Sequence, residues 1–555
     1  MKNTLRKTLS LLMTLTVLLS ALPAAASEAY GEQLIAKERQ LHEGAVLHNE
    51  TYWSSYYSDL RQEIYLTYTP GESVTPVAAF GSYVTERTTA SAAAKALERD
   101  GYRVVAGVNA DFFDSNGTPT GLLVSGGHLF SSDGTNYAVG FNAEGEAVIG
   151  MPSLRLTGSV NGEGDFAIAG LNKTRSSKGG IYAYTYDFNA AHTTGTTEAG
   201  VDVVLSPADV EEVTQILEAG ALRVYAQSLG VAVEDLSSRE RQEALQNVPL
   251  PEDITVTPAI GETALYIVEQ VIDRTSGATA IEPGQLVLSV NAKAAEWERN
   301  YLHDLRTGDL FGLTVTAKDE AWNDVTEAVG GLYLLVENGR ARTGLGTDNA
   351  PRTAVGVTGN GEVIIYAVDG RRSGHSIGSS LSVLAQRMEE LGCETAICFD
   401  GGGSTTALAS LPDADNAAIL NRPSDNSERR VTNCLFFVAD GESTGRADHV
   451  YLDAESPYIL AGSTVPITAA VVDTNYFPMS GRITLSADDG DVDELNFTAP
   501  VSGGTVRLTG SARGADDAEL ELMVIDAPEE LRILRGSSRV VSLSLQPGEQ
   551  ADLSA

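Results

Sequence analysis

Val363-Ile364-Ile365-Tyr366-Ala367-Val368 runs directly into Asp369-Gly370-Arg371, and Ala396-Ile397-Cys398-Phe399 runs in the same way into Asp400-Gly401-Gly402-Gly403-Ser404-Thr405-Thr406. A short unbroken apolar run that stops at turn residues is the pattern of a strand covered on both faces. Between the two runs, Leu381, Leu384, Ala385, Met388 and Leu391 recur at helical spacing and Gly392 closes the helix. The order strand, helix, strand predicts a β–α–β unit. If its strands are parallel, the crossover is right-handed and both C-terminal ends open on one sheet edge. Asp369 and Asp400 then stand at adjacent strand ends, placed to act together on a ligand above that edge.

The turn after Asp400 adds what carboxylates lack. Gly401, Gly402 and Gly403 let the backbone approach a ligand closely, and successive N–H groups with the Ser404 and Thr405 hydroxyls can form a concave anion site. A glycine-rich turn can also be just a turn, but here it sits on a buried strand beside an Asp and two hydroxyls. Arg352 and Arg371 lie at neighbouring turns, where a planar guanidinium can grip a phosphate through two parallel hydrogen bonds. Arginine as such is not diagnostic, because the chain has 30 Arg and only 8 Lys. Only the arginine positions count. An earlier segment has the same layout of helix, Gly101, strand and polar turn, ending at Asn109-Ala110-Asp111-Phe112-Phe113-Asp114, so Asn109 and Asp111 are candidates for the same cleft. The loop Asn421 to Asn433 feeds another apolar run, Cys434 to Val438. Pro-Ser-Asp-Asn is ordinary turn chemistry, yet such loops often carry binding groups. Its candidates are Asn421, Ser424, Asp425, Glu428 and Arg429. His375 reads as a loop or helix-start residue.

Working outward, 555 residues exceed one compact core. The patterns predict an α+β fold: a mixed α/β sheet catalytic domain over 59–440, then an all-β immunoglobulin-like sandwich over 446–535. A helical insertion rich in Glu and Gln interrupts the first domain at 206–251. Residues 27–58 read as a linker or initial helix, and 536–555 as the start of a further segment. Lys2, Arg6 and Lys7, the apolar run Leu9 to Leu22 and Ala24-Ala25-Ala26 form a signal peptide pattern with cleavage near Ala26, which predicts a secreted or cell-surface protein with no membrane span in the mature chain.

The net charge of −37 repels nucleic acid and anionic membrane surfaces, so neither is expected as a partner. Three cysteines, Cys393, Cys398 and Cys434, sit in apolar surroundings without metal-ligand spacing, and read as buried free thiols.

Taken in order, V-N-A-D-F-F-D (108–114), A-P-R-T-A-V-G (350–356), V-D-G-R (368–371), D-G-G-G-S-T-T (400–406) and N-R-P-S-D-N-S-E-R-R-V-T-N (421–433) resemble the phosphodiester glycosidase family, across about 60 to 438. The resemblance implies hydrolysis of the glycosidic bond of a sugar-1-phosphodiester, with a phosphate-linked sugar, or a cell-wall polymer carrying one, as substrate. It implies that Arg352, Arg371 and the turn Gly401 to Thr405 hold the phosphate, and that Asp369 or Asp400 is base or charge stabiliser. Asp111 departs from the pattern, since family members often have glycine there, and the 206–251 insertion is expected to reshape the cleft. No cofactor is required by this reading; paired carboxylates leave a site for Mg²⁺ or Ca²⁺ open. The rival reading is a non-catalytic module that binds cell-wall or other anionic glycans through the same glycine-rich turn.

Overall fold

The computed structural model describes residues 30–526 except 72, 176–178, 247 and 249–252, together with scattered positions beyond 526. The signal peptide pattern of 1–26 and most of 536–555 lie outside the described residues.

The two apolar runs that open the sequence reading are strands, Val363–Val368 and Cys393–Cys398, buried as expected. They are not neighbours. Arg352–Thr358 lies between them and pairs antiparallel with both, Arg352 opposite Val368 and Ala354 opposite Cys398. The outer two therefore run parallel to each other, and Asp369 and Asp400 do leave the sheet on the same edge, with Arg352 starting its strand between them. The complete sheet has eight strands. Glu32–His42, Ala45–Ser54 and Asp59–Tyr68 extend it beyond Val363–Val368, and Tyr333–Glu337 and Arg340–Ala341 beyond Cys393–Cys398, with every pairing antiparallel.

Helix Leu381–Glu390 covers one face, setting Leu381, Leu384, Ala385 and Met388 against Ala354, Tyr366, Val368 and Ala396. The other face packs on a second sheet, not on helices: Val355, Ile365 and Ile397 meet Ala106, Val108, Leu435 and Phe437. That sheet contains Thr75–Phe80, Tyr102–Asn109, Asn433–Asp440, Ala407–Ala409 and Ala418–Ile419. Its outer face is covered by helix Ala90–Arg99. Cover on both faces explains why the strands read as unbroken apolar runs although the sheet is antiparallel.

A further eight-stranded sheet, Arg155–Val160 to Leu310–Thr316 in sequence, has its own large core and carries helices Val210–Leu229 and Ser238–Leu245 between two of its strands. The helices of 206–251 thus connect strands of a separate sheet. Beyond residue 446 the described strands are split over four small sheets.

The α+β expectation with an immunoglobulin-like sandwich is therefore corrected. Among the described residues there are 38 strands against five α-helices, in several sheets, and the catalytic-type region is built mainly by sheet facing sheet. The helical periodicity at 381–391 was real, but one such helix does not set the class. Residues 27–58, read as a linker or initial helix, hold two strands instead. Glu32–His42 is an edge strand whose exposed positions mix Glu32, Glu38 and Gln40 with Leu34 and Ala36, so it lacks the apolar signal of a covered strand. Among the described residues no helix is long and apolar enough to cross a membrane. All three cysteines are free and buried, and burial pushes the Cys393 and Cys398 thiols up to about 12.

Candidate functional site

One hydrogen-bonded network ties the two strand ends together. Asp369 is buried, and both of its oxygens are occupied. Oδ1 accepts from Asn421 Nδ2 at 2.9 Å, and Oδ2 accepts the Arg422 N–H at 2.9 Å and faces His375 Nε2 at 2.8 Å. Asn421 continues the network, donating to the Thr405 carbonyl at 3.1 Å and accepting the Ala407 N–H at 2.8 Å. The Thr405 hydroxyl meets that of Thr353 at 3.3 Å, and Thr353 donates to Asn109 Oδ1 at 2.9 Å. Asn109, itself buried, also accepts the Thr406 N–H at 3.0 Å and donates to the Asp400 carbonyl at 2.7 Å. Sequence-distant Asp369, Asn421, Thr405, Asn109 and Asp400 thus form a single rigid unit.

Asp400 differs from Asp369 in being only partly buried. Its Oδ2 accepts the Ser404 hydroxyl at 2.5 Å. Burial pushes its carboxyl up, against the pull of that hydroxyl, of Arg429 and of the Gly401 N–H. A carboxylate whose charge is disfavoured by its surroundings is a stronger base than an exposed one.

Cations border the turn. Arg371, exposed and in a left-handed backbone conformation at φ +61°, has no hydrogen bond or ion pair to its guanidinium among the described residues. A Cβ on Gly402 (φ +63°) would stand 3.2 Å from Arg371 Nη1, so glycine lets the guanidinium lie against the turn. A non-glycine residue held at positive φ costs about 1–3 kcal/mol and tends to persist where position matters. Arg429 pairs with Asp425 at 2.8 Å and reaches the Ser404 hydroxyl at 3.4 Å; any side chain at Gly403 would collide with this pair. Arg352 sits beside Gly401 but directs Nε to the Ser379 carbonyl at 3.0 Å and Nη2 to the Asp348 carbonyl at 2.8 Å, so much of its donor capacity holds loops. The Ser424 hydroxyl is buried with no protein partner among the described residues.

Two sequence-predicted residues are placed elsewhere. Asp111 is sealed: it accepts the Gly121 N–H at 2.6 Å and the Thr120 hydroxyl at 3.1 Å, and its own N–H donates to Asn433. Burial pushes its carboxyl up to about 6, with Lys173 pulling the other way. Glu428 accepts the N–H and hydroxyl of Ser91 at the start of helix Ala90–Arg99, and so acts as a clamp on that helix. Conversely, the Asp369–His375 contact turns a residue read as loop into a member of the network, and Thr353 joins it from inside the A-P-R-T-A-V-G motif. Neither carried a sequence signal of its own, because each is defined by a partner distant in the fold or on the far side of a turn.

The donors do not fit a Mg²⁺ or Ca²⁺ cage. Both Asp369 oxygens are engaged by protein, and among the described residues no three His, Cys, Asp or Glu side chains converge.

The mostly β body thus carries a buried network from Asp369 through Asn421, Thr405, Thr353 and Asn109 to the Asp400 backbone, beside a cation-bordered glycine turn. The phosphodiester glycosidase family model matches residues 262–438, which contain every candidate residue except Asn109 and Asp111. Over that segment the family model agrees with the resemblance read from the motifs. No curated protein matches the chain. Among solved structures, a hypothetical protein from Synechocystis is 18% identical with a TM-score of 0.51, over 73% of this chain and 64% of that one, a likeness of fold. A putative exported protein from Burkholderia pseudomallei K96243 is 16% identical at TM-score 0.47, over 68% and 74% of the two chains. The catalytic domain of zebrafish N-acetylglucosamine-1-phosphodiester alpha-N-acetylglucosaminidase, auto-inhibited by its pro-peptide, is 12% identical at TM-score 0.33, over 72% and 86%. Neither of the last two carries any part of the argument.

Proposed function

We propose that this chain is a secreted or cell-surface hydrolase that cleaves the glycosidic bond of a sugar-1-phosphodiester, freeing the sugar from a phosphate-linked glycoconjugate or cell-envelope polymer. The observation that carries the reading is Asp400, a partly buried carboxylate that accepts the Ser404 hydroxyl at 2.5 Å, on a backbone whose carbonyl Asn109 holds, beside Arg371 and Arg429.

In this scheme Arg371, Arg429 and the Gly403 N–H hold the phosphate, while the Gly402, Ser404 and Thr405 amides already donate to the Pro351, Gly401 and Gly402 carbonyls. Asp400 takes a proton from water as the water oxygen bonds to the anomeric carbon. The bond from that carbon to the bridging oxygen breaks, and the phosphate departs as a phosphomonoester. Such a leaving group needs little protonation, so the main requirement is to stabilise charge and direct water at an oxocarbenium-like centre. Asp369, with both oxygens occupied, positions Asn421 and His375 and is a poor candidate for base.

The test is incubation with a sugar-1-phosphodiester and, separately, an aryl glycoside, each with and without chelator. Free sugar plus phosphomonoester from the first substrate supports the proposal. Binding without turnover supports the rival glycan-binding module, and loss of activity with chelator contradicts the cation-free scheme.

A further inference from the structure

A second cleft, of about 620 Å³, lies at the seam between the catalytic body and the separate eight-stranded sheet. That volume is in the range of small-ligand sites. Thr85 and Asn116 reach it from the catalytic body, and Lys173, Arg175, Glu198 and Lys293 line it from the other side. Five threonines and three asparagines contribute to the lining, a surface rich in groups that match sugar hydroxyls.

Its charge runs against that of the molecule. The chain has 75 acidic and 38 basic residues, yet the lining holds three cations and one carboxylate. Two cations are fixed in place. Lys173 Nζ donates to the Pro119 and Gly121 carbonyls at 2.8 and 2.7 Å, and Arg175 donates to the Ser289 carbonyl at 3.1 Å and hydroxyl at 2.8 Å. Burial lowers Lys173 to about 8, with Asp111, Asp133 and Asp114 pulling the other way, so that its charge is partly offset from outside the cleft lining. Arg175 Nε is buried with no partner among the described residues. The third cation, Lys293, is exposed and faces Glu198 at 3.1 Å.

The cleft is connected to the candidate site by one stretch of chain. The Ala110 carbonyl accepts the Asp400 N–H at 2.8 Å, and from there the backbone runs to Gly121, whose carbonyl holds Lys173. We propose that this cleft is a subsite for an oxyanion-bearing glycan, so that the substrate is an extended, negatively charged sugar chain and not a small diester. The inference rests on the function proposed above and specifies its substrate class. Phosphate and uronate groups share the recognising chemistry: an oxyanion set among hydroxyls.

The test is calorimetric binding to the full chain carrying Asp400→Asn, so that affinity is read without turnover and independently of whether hydrolysis occurs. The probes are a phosphodiester-linked hexose oligomer, a hexuronate oligomer, a dextran oligomer of equal length, and inorganic phosphate. The charged oligomers are expected to bind and dextran much less. Adding Lys293→Glu should weaken the charged oligomers roughly fivefold, whereas adding Glu198→Gln should tighten them roughly threefold. The difference between the phosphate and uronate oligomers identifies the source of the anion. Equal binding of dextran, or no response to either substitution in folded protein, overturns the assignment. Phosphate alone binding with the same sensitivity makes the cleft a simple ion site and overturns the glycan part. Wild type that binds the oligomers but hydrolyses nothing leaves the cleft standing and removes the reaction.

Discussion

The strand ends at Asn109-Ala110-Asp111 and at Phe399-Asp400-Gly401 have the same local plan: helix, glycine, buried strand, acidic turn. They have opposite fates. Asp111 is wholly buried, with its oxygens closed off by the Gly121 N–H and the Thr120 hydroxyl, and Gly330 packed so closely that a Cβ there would stand 2.7 Å from Oδ2. Asp400 keeps part of its surface, because the three glycines that follow it carry no side chains to cover it. Local sequence plan fixes where along the sheet edge a carboxylate stands; what covers it decides whether it works on a ligand or holds a loop.

That contrast can be attacked from several sides. The largest stability change is expected for Asp111→Ala, which leaves two buried donors without an acceptor and should cost about 3 kcal/mol, read as a lower denaturation midpoint. A loss below about 1 kcal/mol would mean the loop is not held by this side chain. His375→Gln removes the 2.8 Å contact to Asp369 and should lower kcat by up to about 10²-fold through misplacement of the network. Turnover equal to wild type would mean that Asp369 and Asn421 are held without the imidazole. Asn109→Ala removes a bond to the Asp400 carbonyl and two acceptor contacts, and is expected to cost about 2 kcal/mol together with activity. The smallest effect is in pH. A carboxyl raised to about 6 on folding stabilises the protein fully below its unfolded value near 4, and that contribution fades as pH rises through about 6. Wild type should therefore lose stability relative to Asp111→Asn between those limits; parallel curves would contradict the burial of the charge.

Much of the site was legible because its elements are strongly patterned. The runs 363–368 and 396–399 and the helix face Leu381, Leu384, Ala385 and Met388 stand as read, whereas in the glycine turn the Gly402, Ser404 and Thr405 N–H groups, read as anion donors, are given to backbone carbonyls. The direction of pairing was not legible. Arg352–Thr358 is less apolar than Val363–Val368, and nothing in a covered strand announces which strand it pairs with or in which sense. The fold class failed for the same reason: the cover on the inner face of the sheet is another sheet, contributed by segments from both ends of the domain. Roles within the site failed where they depend on burial, as with Asp111 and Glu428, since an acidic turn residue looks the same in sequence whether it faces solvent, ligand or a helix start.

The most direct test of Asp400 as the working carboxylate pairs two measurements on Asp400→Asn: sugar release from a sugar-1-phosphodiester and the melting temperature. The expected result is turnover reduced about 10²–10⁴-fold with melting nearly unchanged, the reverse of Asp111→Ala. Turnover close to wild type, or a melting temperature that falls as far as in Asp111→Ala, would show that Asp400 too is a structural residue.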